Sequence, residues 1–183
     1  AATALGQLSN IMGDLTSSKY PAFSDALVRL GNDGASTESQ IADVATRIGA
    51  MGSIMGFTTP EILAWASTIA STGQNAEAAG TAISNTMSDI EQAVAGGGDK
   101  LAAFAKVAGM SAEEFASAWE STPSKAMEAF IKGLNGVEEN GGSATATLAD
   151  LGITASRQVQ AIEGLMQTVD GLDSNLQMSN DAW

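Results

Sequence analysis

Apolar residues recur every three or four positions along most of the chain, and polar residues fill the positions between them. This spacing places the apolar side chains on one face of an α-helix. The clearest example is the run of Ile83, Met87, Ile90 and Val94. No stretch alternates apolar and polar residues as a half-buried strand does. We therefore predict an all-α fold, a bundle of about ten short-to-medium helices with short loops rich in Gly, Pro, Ser and Thr.

Capping residues indicate where several helices begin. Thr37 is followed by Gln40, and Ser111 by Glu114, which is the spacing of a capping box. In Thr59-Pro60-Glu61, a capping residue precedes a proline and an acidic residue, both typical of a first helical turn. The predicted helix starts are Thr37, Thr59, Ser111, Thr122 and Thr154.

Clusters of Gly and Asn indicate where helices end. Residues 31–34 (GNDG) and 96–98 (GGG) predict two stops, and residues 135–142 predict a loose stretch. The glycines at 96–98 do not form a phosphate-binding loop, because no strand precedes them and Asp99-Lys100 follows in place of Lys-Ser or Lys-Thr.

Three glycines interrupt the helix that begins after Thr37, namely Gly49, Gly52 and Gly56. Each glycine costs about 1 kcal/mol relative to alanine inside a helix. We predict that the helix frays or breaks near Gly49. The alternative is that a neighbouring helix packs closely against a bare stripe, so these three glycines are the candidate helix-contact site.

The periodic apolar positions also predict the core. With few aromatic residues, the core is built mainly from Ala, Ile, Leu, Val and Met. The side chains predicted to be buried are Ile83, Met87, Ile90, Phe104, Phe115, Phe130 and Ile162.

Composition limits the classes of function. The 183 residues include 21 acidic and 8 basic residues, a net charge of −13 that opposes binding to phosphate backbones. Without cysteine the chain has no disulfide or thiolate metal site. No apolar run approaches the roughly 20 residues of a membrane span. The chain begins without Met and ends abruptly at Trp183, so we expect it to be a piece of a longer protein.

The residues do not predict an enzyme. The chain has no histidine, which removes Ser-His-Asp and Cys-His systems and His-ligated zinc. The pair Glu113-Glu114 points in directions about 100° apart on a helix and fits a first helical turn better than a catalytic site. Glu138-Glu139 fits a solvated helix end, and residues 32–34 lack the ligand pattern of a calcium loop. We assign no catalytic, cofactor-binding or metal-binding residue.

Several segments resemble the core region of tail tape-measure proteins of long-tailed bacteriophages and prophages. The resemblance runs from about Ala26 to Trp183 and is densest in five segments. They are ALVRLGNDGASTESQIADVATRIG (26–49), EAAGTAISNTM (77–87), LAAFAKVAGMSAEEF (101–115), LADLGITASRQVQAI (148–162) and SNDAW (179–183). Their order and spacing make chance similarity a poor explanation. Residues 1–34 are interpreted as the end of an upstream helical region, and residues 35–183 as the tape-measure core module.

The resemblance implies a structural protein of the virion, held in the lumen of the tail tube and present in the host cytoplasm during assembly. Such a protein sets tail length and takes part in tail assembly and genome ejection. The implied partners are its own copies, tail tube proteins, tail-tip or baseplate hub proteins, and tail assembly chaperones. The resemblance implies no cofactor and no specific binding of nucleic acid. It implies no membrane span in this segment. The alternatives are a phage-delivered cell-wall-active enzyme domain and a secreted helical adhesin or effector.

Overall fold

The predicted all-α fold is confirmed. A computed structural model describes residues 2–183 of the chain, with side-chain burial from Leu5 onward. Over this range the chain forms eleven α-helices and two 3-10 helices, and no strand. The α-helices are α1 (Ala2–Ile11), α2 (Tyr20–Asp33), α3 (Glu38–Met55), α4 (Thr59–Ala70), α5 (Ala76–Gly96), α6 (Gly98–Val107), α7 (Ala112–Ser121), α8 (Pro123–Glu139), α9 (Ala144–Asp150), α10 (Ser156–Thr168) and α11 (Leu172–Ala182). The 3-10 helices are Ser17–Lys19 and Val169–Gly171.

The helices form two groups that share α5. At one end α3 packs against α1, α2, α4 and α5, and at the other α6, α7 and α8 pack against one another. Helix α10 contacts α4, α5 and α8, and so bridges both groups. Helix α11 then returns to pack against α2 and α4. The division into residues 1–34 and 35–183 stays a prediction, although α1 and α2 contribute to the same core as the later helices.

The capping boxes at Thr37 and Ser111 are confirmed. The Thr37 hydroxyl accepts a hydrogen bond from the Gln40 backbone N–H (3.3 Å), and the Ser111 hydroxyl from that of Glu114 (3.1 Å). The glutamine and glutamate side chains bond back to the backbone of the capping residue. Both pairs satisfy backbone donors that the first helical turn leaves unpaired.

Two predicted capping residues are displaced by one position, although α4 does begin at Thr59. The cap of α4 is Thr58 and not Thr59, because Thr58 is the residue with Glu61 three positions later. The Thr59 side chain is buried and donates to the Asp14 carboxylate instead. The residue preceding α10 is Ala155 and not Thr154, and no side chain caps that helix.

Thr122 does precede α8, as predicted, but its side chain does not cap the helix. Its hydroxyl donates backwards to the Ala118 carbonyl (3.3 Å) at the end of α7. The start of α5 went unrecognised in the sequence: the Asn75 side chain accepts from the Ala78 N–H (2.9 Å).

Replacing Ser111 by Ala is expected to lower the free energy of unfolding by about 1 kcal/mol, the usual cost of losing a helix cap. Thermal denaturation followed by circular dichroism measures the change. The matched control is Thr154→Ala, because Thr154 is exposed and caps no helix; its expected change is within about 0.5 kcal/mol. Equal losses in the two variants would show that the Ser111 cap contributes no stability.

The predicted break near Gly49 is wrong. Helix α3 continues through Gly49 and Gly52 to Met55, and both glycines are buried. Packing against neighbouring helices offsets the intrinsic cost of glycine, so the helix persists. The loose stretch predicted at residues 135–142 is also mostly helical, since α8 runs on through Gly136 to Glu139.

The predicted core is confirmed. All seven side chains are fully buried: Ile83, Met87, Ile90, Phe104, Phe115, Phe130 and Ile162. They belong to one continuous cluster to which every helix from α1 to α11 contributes. Trp65 is buried too, and its Nε1 donates to Ser124 Oγ (2.8 Å), which satisfies the polar end of the ring.

Candidate contact sites

The predicted glycine stripe lies inside the chain at two of its three positions. A Cβ added at Gly49 would lie 3.2 Å from Met12 Cε, so Gly49 is where α3 meets the end of α1. A Cβ added at Gly52 would lie 3.2 Å from Ile62 Cγ1 of α4. Both glycines thus allow neighbouring segments to approach α3 closely.

Gly56 has a different role. Its φ of +92° is the left-handed conformation that ends α3, and an added Cβ would meet nothing within 4 Å.

The buried position of Gly52 limits how its contacts can be tested. Leucine at Gly52 would overfill the contact with Ile62, so this substitution would disturb the fold of the isolated chain. Contact of the three glycines with another subunit stays a prediction.

Other glycines, missed in the sequence, sit at tighter contacts. A Cβ at Gly133 in α8 would overlap the Val107 carbonyl oxygen at the end of α6. A Cβ at Gly80 in α5 would lie 2.9 Å from Arg47 Cβ of α3. Each of these glycines stands inside a helix with periodic apolar positions, which sets it apart in the sequence. The residue that it contacts lies far away in the chain, so the sequence does not reveal the contact.

The structure gives Glu113 and Glu114 no catalytic geometry. Glu114 is exposed and belongs to the capping box, where its carboxylate accepts from the Ser111 backbone N–H (2.8 Å). Hydrogen bonds from the backbone and hydroxyl of Ser111 hold the pKa of the Glu114 carboxyl below its ordinary value. A general acid at neutral pH needs the opposite shift.

The remaining acidic candidates also lie apart from any site. Glu138 and Glu139 are exposed at the end of α8, and Asp33 is the last residue of α2. Among residues 2–183 no group of three or more acidic side chains is placed to hold a metal ion.

None of the helices in the described part of the chain combines the length and hydropathy needed to cross a membrane.

A polar groove separates the start of α5 from α10. Six amide side chains line it, among them Gln74, Asn85 and Gln158. Gln74 Nε2 donates to the Gln160 carbonyl (2.8 Å) and Gln158 Nε2 donates to Thr86 Oγ1 (3.1 Å), so these amides tie α10 to the rest of the chain. The groove is thus a seam between helices that these two hydrogen bonds cross.

Several polar side chains also hold the last two helices on the rest of the chain. Besides the two glutamines, Asn135 Nδ2 donates to the Met166 carbonyl (2.9 Å) and Asn175 Nδ2 to Thr68 Oγ1 (2.9 Å). Thr168 Oγ1 donates to the Thr68 carbonyl (3.0 Å). Single polar residues carry no periodic signal, which is why sequence analysis did not single them out.

Comparison with known proteins identifies the family of this chain. No curated protein and no solved structure matches the chain. The family described as phage-related minor tail protein matches residues 1–141, from the start of the sequence to the loop after α8. The match includes the first 25 residues, which lie outside the resemblance described above, and stops before α9. With more than half of its length matched, the chain belongs to the family of phage-related minor tail proteins.

Proposed function

We propose that this chain is a module of a tail tape-measure protein, which sets tail length and acts in tail assembly and genome ejection. The observation that carries the proposal is the family match over residues 1–141. The ordered segments that resemble tape-measure proteins support the finer assignment. The proposed location is the lumen of the tail tube in the virion, and the host cytoplasm during assembly.

The physical properties of the chain suit that location. A net charge of −13 disfavours adsorption to the DNA that follows the tape measure through the tube. The compact bundle is not itself a ruler, because its helices fold back on one another. Length would be set by extended helical parts of a longer protein, with a rise of about 1.5 Å per residue.

The proposed partners are other copies of the chain, tail tube proteins, tail-tip or baseplate hub proteins, and tail assembly chaperones. Each would be bound by helix surfaces, since no catalytic or ligand chemistry is assigned to the described residues. Gly49, Gly52 and Gly56 were the contact positions proposed from the sequence, but only Gly56 is exposed. A partner would reach Gly49 and Gly52 only if the residues of α1 and α4 that cover them moved away.

Mass spectrometry of purified virions tests the proposed location. The chain is expected in particles filled with DNA and to be depleted from particles that have ejected their genome, relative to tail tube protein in the same samples. Equal amounts of the chain in full and ejected particles would contradict the ejection role. Absence from both would contradict the tail role altogether.

The purified chain is expected to leave peptidoglycan intact, because it has no histidine and the adjacent Glu113 and Glu114 point in different directions on α7. Turbidity of a cell-wall suspension measures hydrolysis, with lysozyme as the positive control. Clearing by the wild-type chain, lost in Glu113→Gln or Glu114→Gln, would favour the rival cell-wall enzyme.

A further inference from the structure

Asparagine followed by glycine occurs twice in the chain, as Asn135-Gly136 and Asn140-Gly141. In this pair the backbone attacks the asparagine side chain most readily, because glycine has no side chain to shield its nitrogen or to restrict its dihedral angles. The first pair lies inside α8 and the second lies in the turn that follows it. Their surroundings differ, and the difference decides which of the two reacts.

The reaction is deamidation of the asparagine side chain, with water as the only co-reactant. The backbone nitrogen of the glycine bonds to the side-chain carbonyl carbon, Cγ. The proton of that nitrogen passes through solvent to the amide nitrogen of the side chain, which leaves as ammonia. Water then opens the resulting cyclic imide at either carbonyl carbon. One opening gives aspartate and the other gives isoaspartate, whose main chain runs through Cβ and Cγ, so both products carry a carboxylate in place of a neutral amide.

The pair Asn135-Gly136 is held in an unreactive arrangement. Gly136 lies within α8, which continues to Glu139, so its backbone nitrogen is part of the helix. The Asn135 side chain is also engaged, because its Nδ2 donates to the Met166 carbonyl of α10 (2.9 Å). Closing the imide ring would require the last turn of α8 to unwind beside Leu134, which is fully buried. The opening needed at Asn135 therefore disturbs the core.

The pair Asn140-Gly141 lies where the helix has ended. Gly141 has a φ of +79°, and residues 138–143 are all exposed. The backbone N–H groups of Gly141 and Gly142 close the turn by donating to carbonyls in the last turn of α8 (each 2.9 Å). The Gly141 nitrogen must leave its carbonyl partner before it reaches Asn140 Cγ.

Opening this turn breaks only hydrogen bonds that water replaces. Besides the two backbone bonds, the bond from Asn140 Nδ2 to the Gly136 carbonyl (2.7 Å) is lost. No buried side chain is uncovered, because residues 138–143 are already exposed. Exposed helix ends open at a much lower free energy than the packed core of a protein. The turn after α8 therefore opens far more often than the helix around Asn135.

We propose that Asn140 is a site of spontaneous deamidation in the folded protein and that Asn135 is protected. The modification places a carboxylate beside Glu138 and Glu139 at the end of α8, where the helix dipole disfavours negative charge. Isoaspartate also lengthens the main chain between α8 and α9. Both changes weaken the turn, so the protein gains charge and loses stability at one defined position as it ages.

Tandem mass spectrometry tests the proposal within a single peptide. Both asparagines lie in the tryptic peptide 133–157, because no Lys or Arg stands between Lys132 and Arg157. The purified chain is incubated at mildly alkaline pH, folded in one sample and in denaturant in another, and is then digested briefly at mildly acidic pH. In the folded sample Asn140 is expected to deamidate faster than Asn135 by about tenfold or more. In denaturant the two rates are expected to be similar, because both pairs are then exposed.

Asn140→Gln is the matched control, because its longer side chain closes an imide ring far less readily and adds no charge. It is expected to abolish the product at residue 140 and to leave the rate at Asn135 unchanged. Asn140→Asp carries the charge of the product from the start. Its unfolding midpoint is expected to lie about 1–4 °C below that of Asn140→Gln.

The folded sample decides whether Asn140 is the reactive site. Equal rates at Asn140 and Asn135 in the folded chain would overturn the protection of Asn135. Reaction at Asn140 only in denaturant would overturn the modification of the folded protein. Equal midpoints for Asn140→Asp and Asn140→Gln would overturn the destabilising effect of the added charge.

Discussion

Replacing Gly133 by Ala is expected to destabilise the protein by about 3 kcal/mol, near the upper end of the usual cost of overpacking. An added Cβ would overlap the Val107 carbonyl oxygen and lie 2.7 Å from its carbonyl carbon. Since both atoms are backbone, no rotamer change relieves the overlap, and α8 must move away from α6. In thermal denaturation the midpoint should fall by about 6–12 °C.

Gly136→Ala is the matched control, because Gly136 lies in α8 as well and an added Cβ there meets nothing within 4 Å. This variant is expected to be as stable as the wild type or more stable by up to about 1 kcal/mol, the helix-propensity difference. An unchanged midpoint for Gly133→Ala would contradict the close approach of α6 and α8.

Truncating either of two central aromatic side chains is also expected to lower the stability of the protein strongly. Phe104 and Phe130 are fully buried, and their ring centroids are 5.3 Å apart. Phe104→Ala and Phe130→Ala should each lower the free energy of unfolding by about 3–5 kcal/mol. Denaturant unfolding measures each loss, and the double variant should show coupling of about 0.5–1.5 kcal/mol from the lost ring contact.

Ile54→Ala controls for the removal of apolar atoms in general. Ile54 is 78% exposed on α3, so its truncation should change stability by no more than about 0.5 kcal/mol. Losses below about 1 kcal/mol for both phenylalanine variants would mean that these side chains are not enclosed.

Helix periodicity and capping chemistry predicted most of the fold, because both are local. The pairs Thr37–Gln40 and Ser111–Glu114 are each four residues of chain, and the structure has them as capping boxes. The error at Thr58 also has a local reason. The proline at residue 60 drew the predicted cap to Thr59, whereas the partner Glu61 fixes the cap at Thr58.

Contacts between distant helices could not be predicted in the same way. Glycine lowers helix propensity, so Gly49 suggested a break in α3. The side chains that pack against Gly49 come from Leu8 and its neighbours, about 40 residues earlier in the chain. The same limit applies to Gln158 and Asn175, whose partners lie in α5 and α4. Candidate sites made of such contacts emerge only from the folded chain.

The proposed role in setting tail length is tested most directly by electron microscopy of tails. In a phage that encodes this chain, a helical segment of about 40 residues is inserted in frame immediately before residue 1. A tape measure predicts uniform tails that are longer by about 60 Å, one helical rise per added residue. Uniform tails of wild-type length, with the enlarged protein present in the virion, would contradict the claim.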